Sequence, residues 1–122
     1  MKSAILLVDH GSRLPEANAL LEQIRERVQE RVPDRMVHTA HMALVPPSIS
    51  EGVDACVAGG ANEIVVQPYF LVPGSHTTHD IPTMVREAAG HHPGLRVRIG
   101  EPLGLHTKLI EVILERVEAA SG

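Results

Sequence analysis

Four short apolar runs alternate with four amphipathic stretches along this 122-residue chain. The runs lie at residues 4–9, 36–42, 62–68 and 95–99, and each of them predicts a strand. The first run, AILLVD, ends in a polar turn that contains glycine, as is typical of a strand buried on both faces. Because strand and helix patterns alternate from end to end, we predict an α/β protein with parallel strands joined by right-handed crossovers.

The stretches that follow the strands have apolar residues at spacings of three and four, which is the pattern of amphipathic helices. Helices are predicted at residues 15–32, 48–58, 80–90 and 105–117. Ser48 and Glu51 form a capping pattern for the second helix, and Asp80 is the candidate cap residue of the third. Residues 69–78 are rich in Pro, Gly and Ser, so they are predicted to be a loop, and such loops often carry function.

We predict a single domain over residues 1–122, built as a three-layer sandwich around a four-stranded parallel sheet in the order 2-1-3-4. In this order the chain runs one way from strand 1 to strand 2 and the other way to strand 3. A crevice then opens beyond the carboxyl ends of these strands, which is where ligands bind in α/β folds. Functional residues are therefore expected at this edge of the sheet.

The composition narrows the classes of partner and location. The formal net charge is −4 and no cluster of Lys or Arg could follow a phosphate backbone, so no nucleic acid partner is expected. No apolar run approaches the roughly 20 residues that cross a bilayer, so no membrane partner is expected either. The single cysteine, Cys56, cannot form an internal disulfide, which favours a reducing, cytoplasmic location.

Two of the eight histidines fall at the predicted crevice. His10 ends strand 1 and His76 lies in the loop after strand 3, so the predicted topology brings them to the same edge. Neutral imidazole suits Fe²⁺, Co²⁺, Ni²⁺ and Zn²⁺, and two such ligands leave open positions for exchange of the metal. A site for a divalent metal and an ordinary pair of loop side chains are both compatible with this pattern.

Three motifs occur in a specific order and spacing: VDHGSR at residues 8–13, PSI at 47–49, and PYFLVPGSHTTHDIP at 68–82. With these motifs the chain resembles the class II chelatases. It is most similar to the short form of the sirohydrochlorin cobaltochelatase and ferrochelatase family, over nearly its whole length. The resemblance implies a chelatase-like, flavodoxin-like fold.

The resemblance implies insertion of Co²⁺, Fe²⁺ or Ni²⁺ into sirohydrochlorin, in cobalamin or siroheme biosynthesis, with the metal as substrate and no organic cofactor. It also implies that His10 and His76 are the catalytic pair, and it implies a homodimer that mimics the two halves of longer chelatases. Two pyrrole N–H protons leave as the metal enters, so the site needs metal ligands that also accept protons, as His can.

One position departs from the family pattern. Members usually carry a Glu shortly before the PSI motif, and Ala43 occupies that place here. Alanine neither binds metal nor accepts a proton. Either His41 or His79 substitutes, or His10 and His76 suffice, or activity is weakened or lost. Loss of activity would leave a non-catalytic protein that binds metal or tetrapyrrole.

Four further residues are candidates for contact with a macrocycle. The backbone of Ser12 and the guanidinium of Arg13 follow His10 and are suited to carboxylates at the edge of the ring. Tyr69 and Phe70, the only Tyr and Phe in the chain, offer aromatic surface for packing. Alternatively, Arg13 is a surface charge, Phe70 fills the core and Tyr69 covers its edge.

Overall fold

In the computed structural model of the protein, which describes residues 2–122, four strands alternate with four α-helices. The strands are β1 (Ser3–Asp9), β2 (Met36–His41), β3 (Glu63–Pro68) and β4 (Arg96–Ile99). The helices are α1 (Pro15–Arg31), α2 (Ile49–Ala58), α3 (Ile81–Ala89) and α4 (Thr107–Ser121). All strand pairs are parallel and their order is β2-β1-β3-β4, so the predicted α/β class and strand order are confirmed.

Helical structure begins earlier after β3 than the sequence predicts. A π-helical turn, His76–Asp80, continues directly into α3, so the predicted loop at residues 69–78 ends three residues early. The turn starts because the Gly74 carbonyl accepts from the N–H groups of both Thr77 and Thr78, at 3.1 and 2.9 Å. The predicted capping box of α2 is confirmed: Ser48 Oγ accepts from the Glu51 N–H and the Glu51 carboxylate accepts from the Ser48 N–H.

Alternate side chains of the sheet pack against helices on its two faces. On one face, Leu6 and Ile64 are fully buried in the larger core, which α2 and α3 cover. On the opposite face, Leu7 packs with Leu21 of α1. The contact between α2 and β1 is close, because a Cβ added at Gly52 of α2 would lie 2.8 Å from Leu6 Cδ1.

The pairing of β1 with its neighbours continues beyond the strand ends. The N–H groups of Met42 and Ala43 donate to the carbonyls of Asp9 and His10, both at 2.9 Å. On the other side, the Tyr69 N–H donates to the Val8 carbonyl at 2.7 Å. These bonds fix the backbone of three chain segments at the carboxyl edge of the sheet.

Helix α4 stands apart from this packing. None of its residues is buried, and it makes no extensive contact with another helix or strand. The predicted apolar stripe is present, with Ile113 and Leu114 more than half exposed. No helix in residues 2–122, α4 included, is long and apolar enough to span a membrane.

We expect Gly52→Val to lower the free energy of unfolding by about 1–3 kcal/mol, because the added methyl groups overpack the contact between α2 and β1. Ala58→Val, at an exposed position of the same helix, is the matched control and should change stability little. Urea denaturation followed by circular dichroism measures both. Equal stability of the two variants would contradict the close packing.

Candidate metal and substrate site

The imidazoles of His10 and His76 are neighbours at the carboxyl edge of the sheet. Their ring centres lie 5.2 Å apart with the planes inclined at 62°. Two imidazoles that share one ion, with metal–nitrogen distances of about 2.0–2.1 Å, have ring centres about 5 Å apart. The pair therefore has the separation that one shared ion requires.

Each of the two imidazoles is oriented through its Nδ1 atom. The Nδ1–H of His76 donates to Asp80 Oδ2 at 3.1 Å, and the Nδ1–H of His10 donates to the Gly11 carbonyl at 3.1 Å. Hydrogen bonding at Nδ1 selects the tautomer that leaves the Nε2 lone pair available for a metal or a proton. Both imidazoles thus keep an Nε2 lone pair that is not used within the protein.

The role predicted for Asp80 is wrong. It stands at the N-cap position of α3, but its side chain makes no capping bond and accepts from His76 instead. The reason is the π-helical turn, which places residues 76 and 80 one turn apart. The spacing of four between His76 and Asp80 is compatible with this bond, but it does not distinguish the bond from a capping aspartate.

The residue that follows His10 in its loop must be a glycine. Gly11 has a φ of +92°, and a Cβ at this position would overlap the Ala43 carbonyl oxygen. The loops after β1 and β2 can therefore approach closely only with glycine here. This contact holds position 43 beside His10, where the Ala43 N–H also bonds to the His10 carbonyl.

The two histidines considered as substitutes for the family Glu lie in different environments. His41 is 5% exposed, and its Nδ1–H donates to Asp9 Oδ1 at 2.5 Å. It therefore joins the ends of β1 and β2 beneath the loops. His79 is exposed on the π-helical turn. Within the described part of the chain, no three His, Cys, Asp or Glu side chains form a group that could hold a metal ion.

The other four residues predicted to contact a macrocycle lie in different environments. The Ser12 N–H donates to Asn18 Oδ1, so this backbone donor is engaged within the loop, whereas Arg13 is exposed. Tyr69 is 37% exposed, and Phe70 packs partly against the core. Both aromatic residues line a small cavity of about 160 Å³ together with Leu71 and Leu103.

Comparison with known proteins identifies the family. The CbiX family model matches residues 4–120 of the chain. The chain belongs to the CbiX family. The sirohydrochlorin cobaltochelatase of Methanopyrus kandleri is 32% identical, and the alignment covers 98% of this chain and 97% of that one. The chloroplastic sirohydrochlorin ferrochelatase of Arabidopsis thaliana is 40% identical over 93% of this chain and 51% of its own length.

Among solved structures, this CbiX chain is similar to the sirohydrochlorin chelatase SirB from Bacillus subtilis subspecies spizizenii in complex with cobalt. The TM-score is 0.92 at 33% identity, over 98% of this chain and 51% of that chain. The chain thus spans about half the length of the first curated relatives it matches. The relative from Methanopyrus kandleri shows that family members of similar length also exist.

We expect Asp80→Ala to weaken binding of Co²⁺ by this CbiX protein about tenfold, because His76 loses the carboxylate that fixes its tautomer. Asp54→Ala is the matched control, since Asp54 also pairs with a histidine, His92 Nε2, at 2.7 Å, outside the candidate site. Calorimetric titration with Co²⁺ measures both. A loss of equal size in the two variants would contradict a specific role for Asp80.

Proposed function

We propose that this protein inserts a divalent metal ion into sirohydrochlorin. The observation that carries the proposal is the pair His10 and His76, 5.2 Å apart, each with Nδ1 engaged and Nε2 available. The names of its relatives, sirohydrochlorin cobaltochelatase and ferrochelatase, support the substrate. Tetrapyrrole biosynthesis is the setting that follows from this substrate.

The two imidazoles match the stoichiometry of the reaction. Insertion replaces two pyrrole N–H protons by one M²⁺ ion, so two protons are released for each ion taken up. As the ion passes from the Nε2 atoms of His10 and His76 to the nitrogens of the macrocycle, the two lone pairs become free and accept those protons. Transfer of the two protons to water then restores the neutral imidazoles.

Co²⁺ and Fe²⁺ are the first candidates for the metal, since relatives are named for both. Ni²⁺ suits the same pair of imidazole nitrogens. The oxidation state of the metal does not change on insertion, so the proposed reaction needs no organic cofactor. The ion is a substrate, and an open pair of ligands favours its release.

Ser12, Arg13, Tyr69 and Phe70 are the proposed contacts with the macrocycle. The exposed guanidinium of Arg13 is suited to a carboxylate of the ring, and the Ser12 hydroxyl keeps its hydrogen free to donate, since Oγ accepts from the Leu14 N–H. The exposed ring of Tyr69 offers the larger packing surface, because Phe70 is shared with the core.

A second candidate function is binding of metal or tetrapyrrole without turnover. The observation that favours it is Ala43, which lies beside His10 and offers neither a ligand nor a proton acceptor. His41 is an unsuitable substitute because it is buried beneath the loops, with only 5% of its surface exposed. Metal affinity would be kept in this case, while the rate of insertion would equal the protein-free rate.

We also propose a homodimer in the cytoplasm. A second copy would supply the half of the longer relatives that this chain does not match. A reducing compartment fits Cys56, a free thiol in the core, whose pKa burial raises to about 11. The thiol therefore stays protonated and serves packing.

The absorbance change of sirohydrochlorin with Co²⁺ tests the function. We expect the protein to accelerate insertion over the protein-free rate, and His10→Ala and His76→Ala each to lower kcat/KM roughly 100-fold or more, since each removes a ligand and a proton acceptor. His91→Ala, at an exposed histidine just beyond α3, is the control and should keep its activity. If the wild-type rate equals the protein-free rate, the chelatase proposal is wrong and binding without turnover replaces it.

We expect Ala43→Glu to increase the rate of insertion about tenfold, because it places a carboxylate beside His10 as an additional proton acceptor. Ala43→Gln adds a side chain of the same size without the charge, and it should leave the rate unchanged. The same absorbance assay measures both variants. An unchanged rate in Ala43→Glu would show that the two histidines suffice.

A further inference from the structure

Leu44, in the loop between β2 and α2, has a backbone conformation that side chains rarely adopt. Its φ is +74°, and within residues 2–122 every other residue with a positive φ is a glycine. Asparagine and aspartate tolerate this region, whereas a bulky side chain is strained in it. Strain of this kind persists only where the surrounding structure imposes it, and it is concentrated at functional sites.

The bonds of the neighbouring residue Ala43 impose this conformation. The Val45 N–H donates to the Ala43 carbonyl at 2.9 Å, which closes a γ-turn with Leu44 at its centre. A γ-turn whose central residue has a positive φ is rare and strained. The Ala43 N–H donates to the His10 carbonyl at 2.9 Å, and the Ala43 oxygen lies against Gly11. The contacts that hold this loop beside His10 thus also hold Leu44 in the turn.

Packing of the Leu44 side chain does not account for the strain. The residue is 56% exposed, so it adds little to the core. A glycine at this position would adopt the same turn without strain. The leucine therefore imposes backbone strain and gains only partial burial within the chain.

Exposed apolar side chains occur in three loops at the edge of the sheet that carries the histidine pair. Leu14 and Leu44, in the loops after β1 and β2, are 61% and 56% exposed. Leu71 and Val72, in the loop that leads to His76, are 63% and 71% exposed. These loops all follow the carboxyl ends of parallel strands, so the four side chains share one edge of the sheet. A solitary exposed leucine is ordinary, but a group of them at one edge marks a binding surface.

We propose that Leu44 contacts the apolar face of the macrocycle that receives the metal from His10 and His76. This inference rests on the proposed function and adds to it a determinant of substrate binding. The faces of a tetrapyrrole ring are apolar and its carboxylates lie at the periphery, so residues beside the metal ligands must offer apolar surface. Leu44 follows Ala43, whose N–H bonds to the His10 carbonyl. The strained turn thus presents a leucine to the substrate.

A pair of substitutions separates the backbone strain from the side chain. Leu44→Ala and Leu44→Gly both remove the leucine, but only glycine relieves the positive φ. We expect Leu44→Gly to have a Tm about 3 °C or more above that of Leu44→Ala, measured by circular dichroism. At a position with negative φ the order is reversed, because glycine loses more backbone entropy on folding. An alanine variant at least as stable as the glycine variant would overturn the strained turn.

Binding of metal-free sirohydrochlorin, followed by the fluorescence of the macrocycle, measures the contact directly. We expect Leu44→Ala and Leu44→Gly to raise the Kd by the same factor, about tenfold, because each removes the apolar contact. Leu44→Met keeps a large apolar side chain and should retain the wild-type Kd. Leu20→Ala is the matched control, since Leu20 is 49% exposed but lies in α1 rather than in these loops. A wild-type Kd in Leu44→Ala and Leu44→Gly would overturn the proposal.

Binding of Co²⁺ distinguishes contact with the macrocycle from support of the histidine pair. We expect calorimetric titration of Leu44→Ala with Co²⁺ to give the wild-type Kd, because the leucine side chain is not a metal ligand. A Co²⁺ complex weakened as much as the sirohydrochlorin complex would overturn the proposal. Leu44 would then act by positioning His10.

The sirohydrochlorin titration contains no metal, so its outcome is separate from that of the insertion assay. Binding that depends on Leu44, with insertion at the protein-free rate, would reject the chelatase proposal and support the contact. Accelerated insertion with binding that is independent of Leu44 would reject the contact and keep the proposed function. A wild-type protein that does not bind sirohydrochlorin would overturn both.

Discussion

The parallel pairing of β1 with β2 and β3 is the constraint on which the candidate site depends. The imidazole of His10 is exposed and bonds only to the next carbonyl, so its place in the fold is set by the backbone that carries it. Its backbone is held because the ladder continues past the strand ends, through the Ala43 N–H on one side and the Tyr69 N–H near the other. The Asp9–His41 pair closes this junction beneath the surface. Rigid strands thus deliver loop residues to a defined place.

His76 reaches the site by a different route. It lies on a π-helical turn that leads directly into α3, and α3 is anchored by Ile81 and Val85 in the core. The same turn brings Asp80 to the Nδ1 atom of His76. One histidine is therefore positioned by the sheet and the other by a helix, and the site exists only where these two elements meet.

The chain has the four strands and four α-helices of a three-layer α/β sandwich, but the helices do not fully cover both faces of its sheet within residues 2–122. Its larger core, under α2 and α3, is well buried, whereas α1 is the one helix that covers the opposite face within residues 2–122. The last helix, α4, is amphipathic, yet none of its residues is buried. An amphipathic helix gains most of its stability from packing of its apolar face, so burial of the apolar stripe would stabilise α4.

Local patterns were enough to determine the four strands, the four helices, the capping box at Ser48 and the α/β class, because these depend on periodicity and on neighbouring residues. The strand order 2-1-3-4 was predicted as one of the few topologies that right-handed crossovers leave, and the structure confirms it. The proximity of His10 and His76 was also predicted, because the carboxyl ends of parallel strands share one edge of the sheet, and their ring centres lie 5.2 Å apart.

Only the tertiary structure decided the role of each polar side chain and the position of α4. The partner of Asp80 depended on a π-helical turn, and the burial of His41 against Asp9 on the register of two strands that are 32 residues apart. Neither bond has a sequence signature that separates it from an ordinary cap or a solvated imidazole. The stripe of α4 was visible in the sequence, but periodicity reports only that a face is apolar. Which surface covers that face is set by long-range packing.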